Sequence, residues 1–269
     1  MENNYSVMDH TFVVCAYKES PYLETCIRSI MRQAVLGRVC IATSTPNDYI
    51  KNLAEKYQIE LMVNTGEKRG TIAYDWNFAV NCAKTPLVTL AHQDDVYGRH
   101  YLERMILAIK HCRHPLIGFT NYYELRDGIT VEKNRLLSIK RLMLSPLKNP
   151  LMWKSRFVRR RILSMGSAIC CPSVTIVKDN VPLPLFENNM LSNIDWQAWE
   201  RVSKLKGEFV YIRQASMKHR IHSGSTTSEL LVDDKRKRED LMMYDKFWPK
   251  PFARLIEYFY QTSEKSNQL

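Results

Sequence analysis

Hydrophobic and polar positions in the first 120 or so residues switch repeatedly between two periodicities. Thr11 to Ala16 (TFVVCA) is a short apolar, β-branched run of the kind that forms a strand buried on both faces. After it, Leu23, Cys26, Ile27, Ile30 and Met31 recur at helical spacing, with Ser20 predicted as the N-cap and Pro21 as the first helical residue. The pair of patterns repeats as a strand over Arg38 to Thr43, a helix from Pro46 with Ile50, Leu53 and Tyr57 on one face, and a strand over Glu60 to Val63. A helix over Thr71 to Ala83, a strand over Leu87 to Ala91, a helix carrying Leu102, Met105, Ile106 and Ile109, and a strand over Leu116 to Asn121 complete the series. Strands alternating with amphipathic helices imply an α/β fold built on a doubly wound, mainly parallel sheet.

In such sheets ligands bind beyond the carboxyl ends of the strands. The stretches found there, Tyr17 to Glu19, Thr43 to Thr45, Asn64 to Gly70 and His92 to Tyr97, are all polar. The alternation stops near Asn121, and Lys148 to Ser164 instead mixes Lys148, Lys154, Arg156, Arg159, Arg160 and Arg161 with Trp153, Phe157 and Leu163. The dense charge run Asp233 to Asp240 (DDKRKRED) reads as a solvated helix face.

Length and composition narrow this picture. A chain of 269 residues with 45% hydrophobic and 25% charged residues has an ordinary globular balance and can bury a large core, so one catalytic domain is expected. The formal charge of +11 admits phosphorylated substrates, an anionic membrane face or nucleic acid as partners. Seven cysteines without a CxxC pair suit a reduced, cytoplasmic protein. The N-terminus lacks the pattern of a signal peptide and no apolar run approaches the roughly 20 residues of a membrane span.

The strongest chemical signal is Leu90-Ala-His-Gln-Asp-Asp-Val-Tyr97, where two adjacent carboxylates follow a buried strand. Such charges repel unless a cation or basic partner compensates them. A divalent metal bridging carboxylate and diphosphate is one solution; capping of the helix that follows is the plainer one.

These segments, in this order, resemble glycosyltransferase family 2 with its GT-A fold: FVVCAYKESPYLETCIRSI, Asn64 to Ala83 with Gly70 and Asn77, HQDDVY, NIDWQAWERVSKLKGEFVYI and HRIHSGSTT, together running from Phe12 to Thr227. The resemblance implies transfer of a sugar from a nucleotide-diphosphate sugar, with a UDP-sugar expected, to an acceptor hydroxyl with inversion. It further implies donor contacts from Ala16, Tyr17, Glu19, Ser44, Gly70, Asn77, Gln93, Asp94 and Arg220. Asp94, Asp95 and His222 would hold Mn²⁺ or Mg²⁺, with His219 a weaker candidate, and Asp195 would deprotonate the acceptor, its plainer reading being a helix N-cap. Glu187 and Glu200 are the next candidates for that base. Trp76 is expected in the core, whereas Trp196 and Trp199 flank the proposed base as candidates for stacking on a sugar, with core packing the plainer reading for at least one of them. On this reading residues 1–122 form the nucleotide-sugar half, 123–230 the acceptor and catalytic half, and 231–269 a C-terminal helical extension.

The sequence departs from the family pattern at two points. The end of the second strand reads Thr43-Ser44-Thr45-Pro46 where relatives commonly carry an Asp for the base, and His92 stands where many carry another Asp. A nucleotidyltransferase would share the strand-end carboxylates, but AYKES has no glycine for a phosphate loop. A nucleic-acid-binding module ranks last, since no zinc, RNP or homeodomain motif is present. The expected acceptor is a glycan or lipid-linked glycan, with no nucleic acid as partner. The basic, apolar segments Lys148 to Ser164 and Lys246 to Tyr260 make the inner face of the cytoplasmic membrane the expected place of work, unless their aromatic residues pack internally.

Overall fold

Each strand and helix expected before Asn121 forms. A computed structural model describes residues 3–222 and 234–265. Strands β1 (His10–Ala16), β2 (Arg38–Thr43), β3 (Glu60–Val63) and β4 (Leu87–His92) alternate with helices α1 (Leu23–Met31), α2 (Asp48–Tyr57) and α3 (Ile72–Cys82). Short β5 (Val96–Tyr97), helix α4 (Tyr101–Lys110), β6 (Pro115–Arg126) and β7 (Ile129–Val131) follow. The second half holds α5 (Arg135–Met143), α6 (Arg156–Arg161), β8 (Val174–Val177), α7 (Ile194–Ser203), β9 (Glu208–Ile221), α8 (Asp234–Tyr244) and α9 (Lys250–Lys265).

Helix starts differ slightly from expectation. Ser20 and Pro21 form a turn in which the Leu23 amide donates to the Ser20 carbonyl, so α1 begins at Leu23 with Tyr22 at its N-cap. α2 begins at Asp48, after Asn47 accepts the Ile50 amide with its side chain. Thr71 caps α3 in the same manner through the Tyr74 amide.

The sheet runs β3-β2-β1-β4-β8-β6-β9-β5, with β7 paired to the outer part of β6. The first four strands are parallel, β8 inserts antiparallel between β4 and β6, and β6 pairs parallel with β9. The sheet is therefore mixed but mainly parallel. Successive residues of β1 point to opposite faces, and the two cores follow from that alternation. Phe12 and Val14 join α1, α2 and α4 on one side. Val13 joins α3 and α7 on the other, where Met243, Tyr244 and Ala253 from the C-terminal helices complete the cluster.

The basic, apolar segment turns largely inward. Arg159 is fully buried and donates to the Leu205 carbonyl at 2.7 Å, and Arg160 pairs with buried Glu200 at 2.7 Å. Arg161 lies over the Trp248 ring, whose indole N–H donates to the Ser164 carbonyl, and Trp153 donates to the Leu147 carbonyl. The charge run in α8 also departs from a solvated face, because Glu239 and Asp240 are buried. Asp233 lies outside the described residues.

Candidate active site

β1, β2 and β4 are sheet neighbours in parallel register, so the residues that follow them meet at one edge. There the Gln93 side chain accepts from the Tyr17 amide at 2.9 Å and donates to the Tyr17 carbonyl at 3.1 Å, a two-point clamp on the β1 tip. The next residue, Lys18, has φ of 53°, a left-handed conformation that costs a side-chain-bearing residue roughly 1–2 kcal/mol. Its amide donates to Thr45 Oγ1 at 2.6 Å, which holds it there. Ala16 is buried beneath this tip, whereas Tyr17 and Glu19 are exposed.

The β2 tip is tied to α3. Ser44 Oγ donates to Asp75 Oδ2 at 2.7 Å, and Asp75 Oδ1 accepts the Gly70 amide at 3.2 Å. Gly70 has φ of +78°, which glycine adopts without the penalty a Cβ would bring. Asp75 thus brings a carboxylate to the strand end that reads Thr43-Ser44-Thr45. Asn77 sits apart from this group, with both ends of its amide engaged by the Phe186 backbone at 2.7 and 3.0 Å.

Asp94 and Asp95 turn at the end of β4 toward the end of β9. Asp95 is fully buried, and its Oδ1 accepts the Arg220 amide at 2.9 Å and faces His219 Nδ1 at 3.0 Å. Its other oxygen, Oδ2, is buried with no hydrogen-bond partner among the described residues. Asp94 Oδ2 lies 3.2 Å from His222 Nε2, while its carbonyl accepts from Arg220 Nε at 2.8 Å. The Arg220 guanidinium stacks 4.2 Å over the Tyr22 ring. The repulsion between adjacent carboxylates is thus offset by basic partners from β9. Burial opposes charging His219, but Asp95 and Asp94 raise its pKa overall. His92 stacks on half-buried Trp76 with centroids 4.8 Å apart, and burial lowers its pKa.

Asp195 occupies the first turn of α7, and Asn193 rather than Asp195 is the N-cap. Among the described residues the Asp195 carboxylate accepts from the Trp196 amide at 2.7 Å. Burial raises its pKa to about 6, against the opposing pull of that amide, Lys140 and His219. His219 is therefore a neighbour shared by Asp195 and the Asp94–Asp95 corner. Lys140 donates to Tyr122 Oη at 3.1 Å, and the Tyr122 ring packs against His219.

The segment before α7 is held from a distance. Glu239 of α8 accepts from the amides of Leu191, Ser192 and Asn193 and from the Ser192 hydroxyl, at 2.6 to 3.1 Å. Asp240 accepts from the Asn193 side chain at 2.6 Å. Trp196 and Trp199 are fully buried in the core beneath this helix, so neither offers a ring to a sugar. Glu200 is likewise buried, between Arg160 and Lys204, and Glu187 pairs with Arg201.

Residues 11–175, more than half of the chain, match the family described as Glycosyl transferase family 2. The chain belongs to that family. No curated protein sequence matches it. Among solved structures, this family 2 chain is similar to TarS from S. aureus, with TM-score 0.62 and 13% identity over 94% of this chain and 43% of TarS. It is also similar to the 1–349 portion of S. aureus TarS in complex with UDP-GlcNAc, with TM-score 0.63 and 15% identity over 92% of this chain and 70% of that one. A third is the mannosyltransferase PcManGT from Pyrobaculum calidifontis in complex with GDP-Man and Mn²⁺, with TM-score 0.60 and 13% identity over 92% and 68% of the two chains. These likenesses carry the GT-A-like α/β architecture. The chain spans less than half of full-length TarS.

A divalent metal fits this family 2 site in kind. Among the described residues no three His, Cys, Asp or Glu side chains converge as a ligand group. Mg²⁺ and Mn²⁺, however, commonly use one or two carboxylates and take their remaining oxygens from phosphate and water. The unpartnered Asp95 Oδ2 and the Asp94–His222 pair are donors of that sort.

Asp75, Lys140, Tyr122 and Glu239 are the neighbours that sequence reasoning missed. None belongs to a local motif, and only the placement of Asp75 one turn beyond Gly70 was a usable signal. Ser223 to Thr227 of the HRIHSGSTT segment lie outside the described residues.

Proposed function

We propose that the protein transfers a sugar from a nucleotide-diphosphate sugar, a UDP-sugar in the expected case, to an acceptor hydroxyl with inversion. The observation that carries this reading is Asp195, a half-buried carboxylate whose pKa is raised to about 6 and which shares His219 with the Asp94–Asp95 corner. A base of that pKa is ionised near neutrality yet basic enough to take a proton as the hydroxyl attacks, a contribution of about 10²- to 10⁴-fold. Attack from the face opposite the diphosphate inverts the anomeric carbon.

The donor nucleotide lies over the tips of β1, β2 and β4, with Ala16, Tyr17, Glu19, Gly70 and Gln93 shaping its seat and Ser44 with Asp75 facing the base. Asp94, Asp95 and His222 hold Mn²⁺ or Mg²⁺, and Arg220 faces the diphosphate. When bound, the cation offsets negative charge on the departing diphosphate. Residues 1–122 serve the donor, 123–230 the acceptor, and 231–269 brace the helix of Asp195. A panel of nucleotide sugars, scored by thermal stabilisation with Mn²⁺ and then by product, tests this. Release of nucleoside diphosphate supports transfer, and pyrophosphate would instead mark a nucleotidyltransferase.

The acceptor is a glycan or lipid-linked glycan of the cell surface, met at the inner face of the cytoplasmic membrane. Support comes from exposed Phe157, Phe252 and Leu255 among exposed Lys154, Arg156, Lys250 and Arg254. Among the described residues no helix is long and apolar enough to cross a membrane. Sedimentation with anionic vesicles, weakened by salt and by Arg156→Glu with Arg254→Glu, is the expected result. Protein left in the supernatant at low salt would remove the membrane claim alone.

A further inference from the structure

Along the bulged stretch of the β6–β9 pair lies a depression of about 620 Å³ that none of the assignments above uses. Arg104, Lys133, Arg141 and Arg213 line it, against a single carboxylate, Glu132. Among the described residues, none of these four cations forms an ion pair. Four like charges around one concavity repel, and a cleft of one sign concentrates ligands of the other.

The depression is built rather than incidental. The β6–β9 register jumps from Thr120 opposite Ile212 to Asn121 opposite Ala215, so Arg213 and Gln214 bulge out of β9. Bulges of this kind re-aim side chains. Asn121 fixes this one, donating to the Arg213 carbonyl at 2.6 Å while accepting from Tyr211 Oη at 2.9 Å. Arg104 and Arg141 are each anchored by one guanidinium nitrogen, to Ser216 Oγ and to the Tyr122 carbonyl, both at 3.1 Å. Among the described residues their remaining N–H groups have no hydrogen-bond partner. Arg141 also lies 5.8 Å over the Tyr123 ring, which limits its rotation.

We propose that this depression binds a phosphoryl group carried by the acceptor. Anchored guanidinium forks with spare N–H donors are suited to tetrahedral phosphate oxygens. The acceptor rather than the donor is indicated by α5, where Lys140 bears on Asp195 and Tyr122 while the adjacent Arg141 lines the depression. A hydroxyl offered to Asp195 would thus belong to a molecule whose phosphate sits next door. The assignment of the phosphate to an acceptor rests on the glycosyl-transfer reading above; the phosphate site does not.

Calorimetric titration of the full chain with sodium tripolyphosphate, free of divalent cations, tests the site. One-to-one binding is expected, weakened about tenfold or more by Arg141→Gln with Arg213→Gln, since charged hydrogen bonds to phosphate are lost. Exposed Arg213→Gln alone should weaken it in the same direction without threatening the fold. Equal affinity in wild type and both variants overturns the proposal. A parallel titration with UDP and Mn²⁺ should be indifferent to both variants. If UDP binds no form while tripolyphosphate binding still depends on Arg213, the phosphate site stands and the transferase reading falls. A soluble glycerol-phosphate oligomer and phosphatidylglycerol vesicles separate the sources. Arg213-dependent binding of the oligomer supports an acceptor chain, and Arg213-dependent binding of vesicles alone overturns that assignment in favour of a lipid headgroup.

Discussion

Asp95 and Asp195 are the same residue type with His219 as a shared neighbour, and their surroundings differ. Asp95 is completely buried but meets an amide and an imidazole from β9. Asp195 is half-buried and, among the described residues, its carboxylate accepts from the Trp196 amide. Burial with partners fixes a carboxylate in place. Burial without enough of them leaves it seeking a proton, and its pKa rises to about 6. On the proposed reading, one carboxylate holds and the other accepts.

The largest expected effect tests the accepting side. Asp195→Asn should lower kcat by about 10²- to 10⁴-fold while nucleotide affinity is unchanged. In the wild type, kcat should fall about tenfold per pH unit below about 6, as the base becomes protonated. Steady-state rates from pH 5 to 8, alongside nucleotide titrations, measure both; a variant within a few-fold of the parent would make Asp195 a structural residue.

Next in size, Asp95→Ala should abolish Mn²⁺-dependent nucleotide binding and also cost about 1–3 kcal/mol of stability, because the Arg220 amide loses its acceptor. Relief of the Asp94–Asp95 repulsion does not offset this, since basic partners already compensate those charges. Asp94→Ala should weaken nucleotide binding with a smaller loss of stability, and chemical denaturation of the two variants separates them.

The sharpest contrast is one of sign. The folded-state pKa of Asp195 lies above its unfolded value of 3.8, so the folded state binds more protons and wild-type stability is lost as pH rises from about 4 to 6. Asp195→Asn should therefore be more stable than the wild type at pH 7, by about 1–2 kcal/mol, and no more stable at pH 3.5. A destabilised Asn variant at pH 7 would break the comparison. The smallest effect concerns the donor seat, where Gln93→Ala unclamps the Tyr17 backbone and should weaken nucleotide binding by roughly 0.5–1.5 kcal/mol, read by the same titration.

The half of the fold most legible in the sequence is the half built on β1 to β4, where β1, β2 and β4 are largely buried and edge strand β3 is half-exposed. β1 to β4 are apolar runs, and their ends fall within a residue of the pattern. β9 was hidden because its second half reads RQASMKHR, a half-exposed strand whose polar residues serve the site rather than the core. β8 is only four residues long and gains its place by insertion between two longer strands, which no local pattern records. In the site, residues adjacent in sequence, such as Asp94 and Asp95, were visible as a motif. Lys140 and Tyr122 were not, because they meet across the fold. Glu239 was concealed by composition, lying in a charge run whose neighbours are basic.

Glu239 also has a consequence for when this molecule becomes competent. It reaches back across 48 residues to take up the amides that lead into the helix of Asp195. On the reading proposed above, the donor seat can form during synthesis once β9 has paired, but the turn carrying Asp195 lacks its collar until α8 has been made. A nascent chain would thus hold nucleotide before it could turn over, and catalytic readiness would arrive with one of the last helices to emerge.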